Sequence, residues 1–66
     1  MLYNKYLMDD LEKLNALYDK YMAYLMIGKY YEDVYREHND LLARIELEYG
    51  GRVVVNDDGQ YGHRRD

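Results

Sequence analysis

The stretch that decides the fold reads YMAYLMIG and runs from Tyr21 to Gly28. Every residue from Tyr21 to Ile27 is apolar or aromatic, whereas the chain on either side alternates apolar and charged residues with a helical period. A helix that is apolar on all sides is normally buried in a core or an interface. The stretch is far shorter than the roughly 20 apolar residues that cross a membrane. It therefore indicates the centre of a packed helical assembly.

A helical repeat leads into this stretch from its N-terminal side. Apolar and aromatic side chains recur at alternating spacings of four and three residues, at Leu7, Leu11, Leu14, Tyr18, Tyr21 and Leu25. Such a heptad repeat predicts a helix whose apolar stripe packs against another helix. Asn4 is a candidate N-cap, and Tyr3 with Met8 forms a candidate hydrophobic staple. We therefore predict the first helix at about residues 4–26.

A second repeat follows, and it is displaced from the first by one residue. Its members are Ile27, Tyr31, Val34, His38, Leu41 and Ile45. Continuing the first repeat would place Gly28 and Glu32 in the stripe, so the apolar face rotates by about 100° here. A glycine at such a point is typical of a helix C-terminus. We predict a turn there and a second helix at about residues 30–49, which Gly50 and Gly51 end.

These features predict an all-α protein in which residues 1–50 form an αα-hairpin. One continuous helix of about 45 residues is the first alternative, because no strong N-cap follows Gly28, and a break near residues 38–40 is the second. A chain of 66 residues buries only about 60% of its unfolded surface. Cysteine is absent and the two histidines are far apart, which argues against disulfides and structural zinc. We therefore predict self-association into a homodimeric helical bundle.

Residues 51–66 form a C-terminal tail of different composition. Residues 52–55 read RVVV and favour a strand, and residues 56–59 read NDDG and favour a turn. A short β-hairpin that returns near Tyr61 is one prediction. An isolated hairpin of this length is marginal in water, so the tail either docks on the helical bundle, pairs with another chain, or is disordered. We expect residues 63–66 to be disordered in each case.

The composition favours a binding function over catalysis. The net charge is −4, and the chain has ten tyrosines but no phenylalanine or tryptophan. Tyrosine suits interfaces, where the ring is buried and the hydroxyl stays in water. An acidic chain is unsuited to direct nucleic-acid binding, which depends on Lys and Arg. No signal peptide or membrane segment is expected, because Met1 to Lys5 lead directly into the amphipathic pattern, and we expect a cytoplasmic protein.

The chain also lacks the common catalytic arrangements. It contains no cysteine, serine or threonine, so His38 has no conventional nucleophile to activate. We interpret His38 as a core or interface residue and the paired carboxylates as solvated side chains. We expect no enzyme activity, no catalytic residue, no metal and no cofactor.

An acidic, tyrosine-rich face of the second helix is the candidate partner-binding site. Its residues are Tyr30, Tyr31, Asp33, Tyr35, Glu37 and Asp40. A row of carboxylates can imitate a nucleic-acid backbone and occupy the basic groove of a nucleic-acid-handling protein. In size and sign of charge the chain resembles small acidic phage inhibitors, including many anti-CRISPR proteins. That resemblance implies an inhibitor that binds a larger nucleic-acid-handling protein.

Two other functions are consistent with the sequence. One is a homodimeric regulator that binds RNA or DNA, which resembles in architecture the small plasmid RNA-binding helical-hairpin dimers. The other is a structural oligomerisation module. Exposed Met and Tyr side chains near the turn would supply an apolar contact in each case. The residues expected to form a dimer or an apolar anchor are Leu7, Leu11, Leu14, Tyr18, Tyr21, Met22, Leu25, Met26, Ile27, Val34, Leu41 and Ile45.

Overall fold

Two helices and a C-terminal β-hairpin form the fold. The computed structural model describes residues 5–65, so the candidate N-cap Asn4 and the staple residue Tyr3 lie outside the described residues. The elements are α1 (Lys5–Met26), α2 (Glu32–Tyr49), β1 (Arg52–Val55) and β2 (Tyr61–Arg64), and the two strands pair antiparallel. The predicted helical hairpin is confirmed. The fold is not purely all-α, because the tail forms the short β-hairpin that is one of the predictions, and this two-stranded sheet packs on the helices.

Helix α1 ends at the glycine where the apolar repeat changes phase. Gly28 has a φ of 72°. Its N–H donates to the carbonyl of Leu25 at 3.3 Å, and the N–H of Lys29 donates to the carbonyl of Tyr24 at 2.9 Å. These two bonds around a left-handed glycine form a Schellman motif. The ammonium of Lys29 also lies 4.7 Å from the centre of the Tyr24 ring, a cation–π contact across the same turn. The continuous-helix alternative is therefore wrong.

The core lies between the helices and draws on both repeats. Leu14 and Ile45 are fully buried at its centre. The other buried residues are Leu11, Leu17, Val34, His38 and Leu41. Leu25 belongs to the first repeat but remains exposed. It lies in the last turn of α1, and α2 does not cover it because the first buried residue of α2 is Val34. Ile27 is also exposed, because the second helix begins only at Glu32.

The β-hairpin closes a further side of this core. Val53 pairs with His63 and Val55 with Tyr61, and the side chains of Val53 and Tyr61 pack against the helical core. The connecting loop has Gly59 at a φ of 83°, as three-residue hairpin loops commonly do. Its N–H donates to the carbonyl of Asn56 at 2.9 Å. The expected disorder at residues 63 and 64 is wrong, because both belong to β2.

Each strand of the hairpin is held by a polar side chain from a helix. On β2, the backbone N–H of Tyr61 donates to the side-chain oxygen of Asn15 at 2.7 Å, and the Asn15 amide donates back to the Tyr61 carbonyl at 3.5 Å. On β1, the N–H of Val53 donates to the Glu46 carboxylate at 2.9 Å. These bonds satisfy outward-facing backbone groups of strands that would be marginal alone. The chain thus closes a core within one copy, and the predicted homodimer stays a prediction.

A polar cluster joins the helices at the end opposite the turn. The hydroxyl of Tyr49 donates to the Asp10 carboxylate at 2.9 Å, and the guanidinium of Arg44 lies 3.6 Å from the same carboxylate. Burial of the ring and the hydrogen bond to Asp10 raise the pKa of Tyr49 to about 12. The neutral hydroxyl is therefore the form that the folded chain favours.

This shift predicts how the protein responds to alkali. Because the folded pKa of Tyr49 lies above its unfolded value of about 10, its contribution to stability is complete below about pH 10 and is lost as the pH rises through about 12. We expect Tyr49→Phe to lose less of its stability than the unsubstituted protein between about pH 9 and 11.5, measured by urea unfolding. The exposed Tyr6 supplies the control Tyr6→Phe. Equal losses in both variants would contradict the assignment.

Candidate functional site

An aromatic cluster lies where α1, α2 and β2 meet. Its members are Tyr18, Tyr21, Tyr31, Tyr35, His38 and Tyr61. Neighbouring ring centres are 5.0 to 6.4 Å apart, mostly in tilted or edge-to-face arrangements, which are favourable for aromatic pairs. The helix spacing places Tyr18 and Tyr21 one turn apart on α1, and Tyr31, Tyr35 and His38 along α2. Rings that are scattered in the sequence thus form one continuous surface.

The inner side of this cluster is a closed hydrogen-bond network. His38 is buried, and its Nε2 lies 2.8 Å from the Tyr61 hydroxyl, while its Nδ1 lies 2.9 Å from the side-chain oxygen of Asn39. Because that amide oxygen only accepts, Nδ1 carries the hydrogen and Nε2 accepts from Tyr61. Burial raises the pKa of Tyr61, which keeps its hydroxyl protonated as the donor. Both ring nitrogens are satisfied, so the geometry gives His38 a structural role.

The outer side of the cluster opens onto a shallow surface depression, which we call the tyrosine depression. Its lining residues are Tyr21, Tyr31, Glu32, Tyr35, Arg36, Asn39 and Asp40. The Tyr21 ring lies 5.4 Å from Tyr31 and 5.0 Å from Tyr35, centre to centre. Tyr35 remains 45% exposed. The depression therefore presents aromatic rings beside two carboxylates, at a surface to which both packed helices contribute.

Part of the predicted partner-binding set lies in this depression. Tyr31, Tyr35 and Asp40 line it. Tyr30 is adjacent, since its hydroxyl donates to the Glu32 carboxylate at 3.2 Å. That carboxylate also raises the pKa of Tyr30, by its negative charge and by the hydrogen bond. These four predicted residues therefore form one surface with Glu32.

The structure does not place Asp33 and Glu37 in the lining of the tyrosine depression. Each is two residues from Tyr35, and side chains two apart on a helix do not share a face. Both are exposed. The depression therefore takes in Tyr31, Tyr35 and Asp40 of the predicted face and leaves Asp33 and Glu37 outside its lining, although Glu37 lies one turn from Asp40.

Sequence reasoning misses four of the seven lining residues, namely Tyr21, Glu32, Arg36 and Asn39. It places Tyr21 only in the apolar stripe of α1, and it leaves Glu32 out of the candidate site. The contact of Tyr21 with Tyr31 and Tyr35 depends on how the two helices pair. Tyrosine at an apolar repeat position is the available signal, because its hydroxyl favours the edge of a core.

A second exposed surface lies at the turn between the helices, and we call it the tip patch. It consists of Leu25, Met26, Ile27 and Tyr30, whose exposed fractions range from 44% to 82%. Of the residues expected to form a dimer or apolar anchor, the structure buries Leu11, Leu14, Val34, Leu41 and Ile45 inside the single chain. Leu7, Tyr21 and Met22 are half-buried, and Tyr18 is at the exposed edge of the core. Leu25, Met26 and Ile27 of the tip patch are thus the members of that set left most open to another molecule.

The fold and these surfaces define a helical hairpin that is sealed by a β-hairpin and carries a tyrosine-rich depression. Within residues 5–65 no three potential ligand side chains are grouped so as to hold a metal ion. Across the same residues, no helix is long and apolar enough to span a bilayer. Comparison with protein-family models, curated proteins and solved structures finds no match to this chain.

Proposed function

We propose that the protein is a small non-enzymatic inhibitor or regulator that binds a larger, nucleic-acid-handling protein. The tyrosine depression is the observation that carries this proposal. Tyrosine is enriched at protein interfaces, where it supplies contact area at a low cost in conformational entropy. The net charge of −4 complements the basic surfaces by which proteins hold nucleic acids. The binding site comprises Tyr30, Tyr31, Tyr35 and Asp40, together with Tyr21 and Glu32.

The tip patch supplies the apolar part of the same interface. Tyr30 belongs to the tip patch and bonds to Glu32, which lines the tyrosine depression, so the two surfaces are continuous. Methionine adapts its shape to a partner, and exposed apolar patches commonly mark interaction sites. On size and charge we place the protein with phage-type inhibitors of the anti-CRISPR kind, acting in the cytoplasm on a bacterial complex.

Charge reversal tests the proposal. Tagged protein is incubated with bacterial lysate at low salt, and captured proteins are quantified for three baits: the unsubstituted chain, Glu32→Lys/Asp40→Lys and Asp33→Lys/Glu37→Lys. Both double variants change the net charge by the same amount. We expect a specific nucleic-acid-binding protein whose capture falls roughly tenfold or more with Glu32→Lys/Asp40→Lys, because like charges then face its basic groove. Capture that is equal for all three baits would refute binding through an acidic face.

The role of the tip patch is tested by Met26→Ala/Ile27→Ala. Both side chains are mostly exposed, so we expect a stability change within about 0.5 kcal/mol. Light scattering after size exclusion gives the oligomeric state, and titration of each variant with the captured partner gives the affinity. We expect weaker partner binding with an unchanged molar mass. A dimer that becomes a monomer would assign the tip patch to self-association instead.

One observation favours a second candidate function, a homodimeric regulator that binds RNA or DNA. Arg52 and Arg64 lie directly opposite each other on the two strands, and both are exposed. In the part of the chain that the structure describes, neither forms an ion pair. Like charges at opposed positions destabilise a strand pair, and a bound phosphate would relieve that repulsion. A gel shift with total RNA separates the candidates, since the inhibitor should leave the RNA unshifted.

A further inference from the structure

The tyrosine depression combines two features that together select one kind of side chain. Tyr21, Tyr31 and Tyr35 supply aromatic rings, and Glu32 and Asp40 supply carboxylates. We propose that the depression binds an arginine side chain of the partner protein. This inference rests on the proposed function and names the chemistry of the anchor that the partner must present.

Arginine fits this combination better than lysine does. Its planar guanidinium stacks on aromatic rings and directs a fork of N–H donors at carboxylates. The lysine ammonium is a compact and strongly hydrated charge, so it gains less from a tyrosine surface. Basic grooves that hold nucleic acid are rich in arginine, and the depression would engage such a residue in place of a phosphate.

The ring geometry indicates where the guanidinium stacks. The centres of Tyr21 and Tyr35 are only 5.0 Å apart. A guanidinium between two rings needs about 3.5–4 Å on each side, so it does not fit between these two. It therefore lies over the solvent side of the rings, where the 45% exposure of Tyr35 leaves surface open. The site is an open platform that a side chain of a docked protein reaches from outside.

In the described part of the chain, the carboxylates of the depression form no ion pair with the cation beside them. Arg36 also lines the depression and is four residues from both Glu32 and Asp40. Among residues 5–65, the ion pairs involve Arg44 with Asp10 and Glu48, and none joins Arg36 to either carboxylate. Glu32 accepts the hydroxyl of Tyr30. Arg36 is thus a nearby competitor for the site, and its removal should strengthen arginine binding.

Binding is measured with two synthetic peptides of equal length and charge, one carrying arginines and the other lysines at the same positions in a glycine background. Titration followed by NMR reports both the affinity and the residues that respond. We expect the arginine peptide to bind at least about threefold more tightly and to shift the resonances of Tyr21, Tyr31 and Tyr35. Equal binding of the two peptides would overturn the proposal.

Matched variants with neutral side chains distinguish binding at the depression from nonspecific attraction by the net charge of the protein. Glu32→Gln/Asp40→Asn should weaken binding of the arginine peptide by roughly fivefold or more, whereas Asp33→Asn/Glu37→Gln, with the same net charge, should change it by less than about twofold. Arg36→Ala should strengthen binding more than Lys13→Ala, which removes the same charge from another part of the surface. Equal effects within each pair would show nonspecific attraction and overturn the arginine site.

The outcomes also separate this inference from the proposed function. Circular dichroism and urea unfolding first establish that each variant is folded. If the lysate partner is captured through the acidic residues but the peptides bind alike, the arginine site fails and the proposed function stands. If no partner is captured, yet the arginine peptide binds at the depression, the inhibitor proposal fails and the arginine site stands.

Discussion

Replacing Gly51 with alanine is expected to destabilise the protein by about 2–4 kcal/mol, a large part of the stability of a small domain. Gly51 has a φ of 68°, a left-handed conformation that strains a residue with a Cβ atom. A Cβ atom at this position would also overlap the backbone carbonyl oxygen of Arg64 and lie 3.2 Å from the Cα atom of Arg65. Backbone atoms cannot rotate away as a side chain can, so the connection from α2 would have to move away from β2. Urea unfolding at 25 °C measures the loss.

Gly28 supplies the matched control for that substitution. It has a similar φ of 72°, but a Cβ atom there would meet nothing within 4 Å. Gly28→Ala should therefore lose only the free energy that a left-handed conformation costs a residue with a Cβ atom, about 1–2 kcal/mol. The difference between the two variants isolates the close approach of Gly51 to β2. If both variants lose the same stability, Gly51 does not lie against the backbone of Arg64 as the structure has it.

The helical hairpin is predictable because its signals are local. The phase change between the two repeats coincides with Gly28, and the bonds that end α1 there join residues only three and five apart. The buried positions of α2 follow from the spacing of Val34, His38, Leu41 and Ile45. A helix carries such signals within its own turn, so periodicity and one glycine are sufficient.

The docking of the tail is not predictable from the sequence because it depends on distant partners. A strand pair of this length is marginal in water, so its propensity alone leaves disorder open. The structure stabilises it through Asn15, which is 46 residues from Tyr61, and through the ring contacts of Tyr18 and His38 with Tyr61. Asn15 is not distinguished in the sequence from an ordinary helix residue, and the repeat that predicts the burial of His38 does not predict its contact with Tyr61.

The candidate site shows the same division between local and distant information. Tyr31, Tyr35 and Asp40 can be identified from the sequence, because tyrosines and acids alternate along α2. Tyr21 joins them only when the helices pack. Asp33 is a candidate by its charge alone, although its position two residues from Tyr35 places it on another face. Helical geometry therefore separates Asp33 from Tyr35, but it gives Asp40 nearly the same direction as Asp33. Only the packed structure shows that Asp40 lines the depression and Asp33 does not.

The contact of Tyr61 with the helices predicts the second large effect. Its ring packs against Tyr18 and His38, with centres 5.7 and 5.5 Å away, and its hydroxyl bonds to Nε2 of His38. Tyr61→Ala removes both the ring packing and the hydrogen bond, and it leaves Nε2 of the buried His38 without its donor. We expect the free energy of unfolding to fall by about 2–4 kcal/mol. This is less than for a fully buried aromatic residue, because Tyr61 is only half-buried. Urea unfolding measures the loss.

Tyr61→Phe separates the ring from the hydroxyl. It keeps the packing and removes one hydrogen bond, so it should cost about 1–2 kcal/mol. In Tyr61→Ala, amide exchange at Val54 and Gly62, which pair in the β-hairpin, should accelerate more than exchange at Leu14 and Ile45, because the hairpin detaches before the helices separate. The uncovered core should then favour association of two copies, which light scattering detects as a rise in mass with concentration. If Tyr61→Ala behaves like Tyr61→Phe and its mass does not rise with concentration, the β-hairpin is not what seals the helical core.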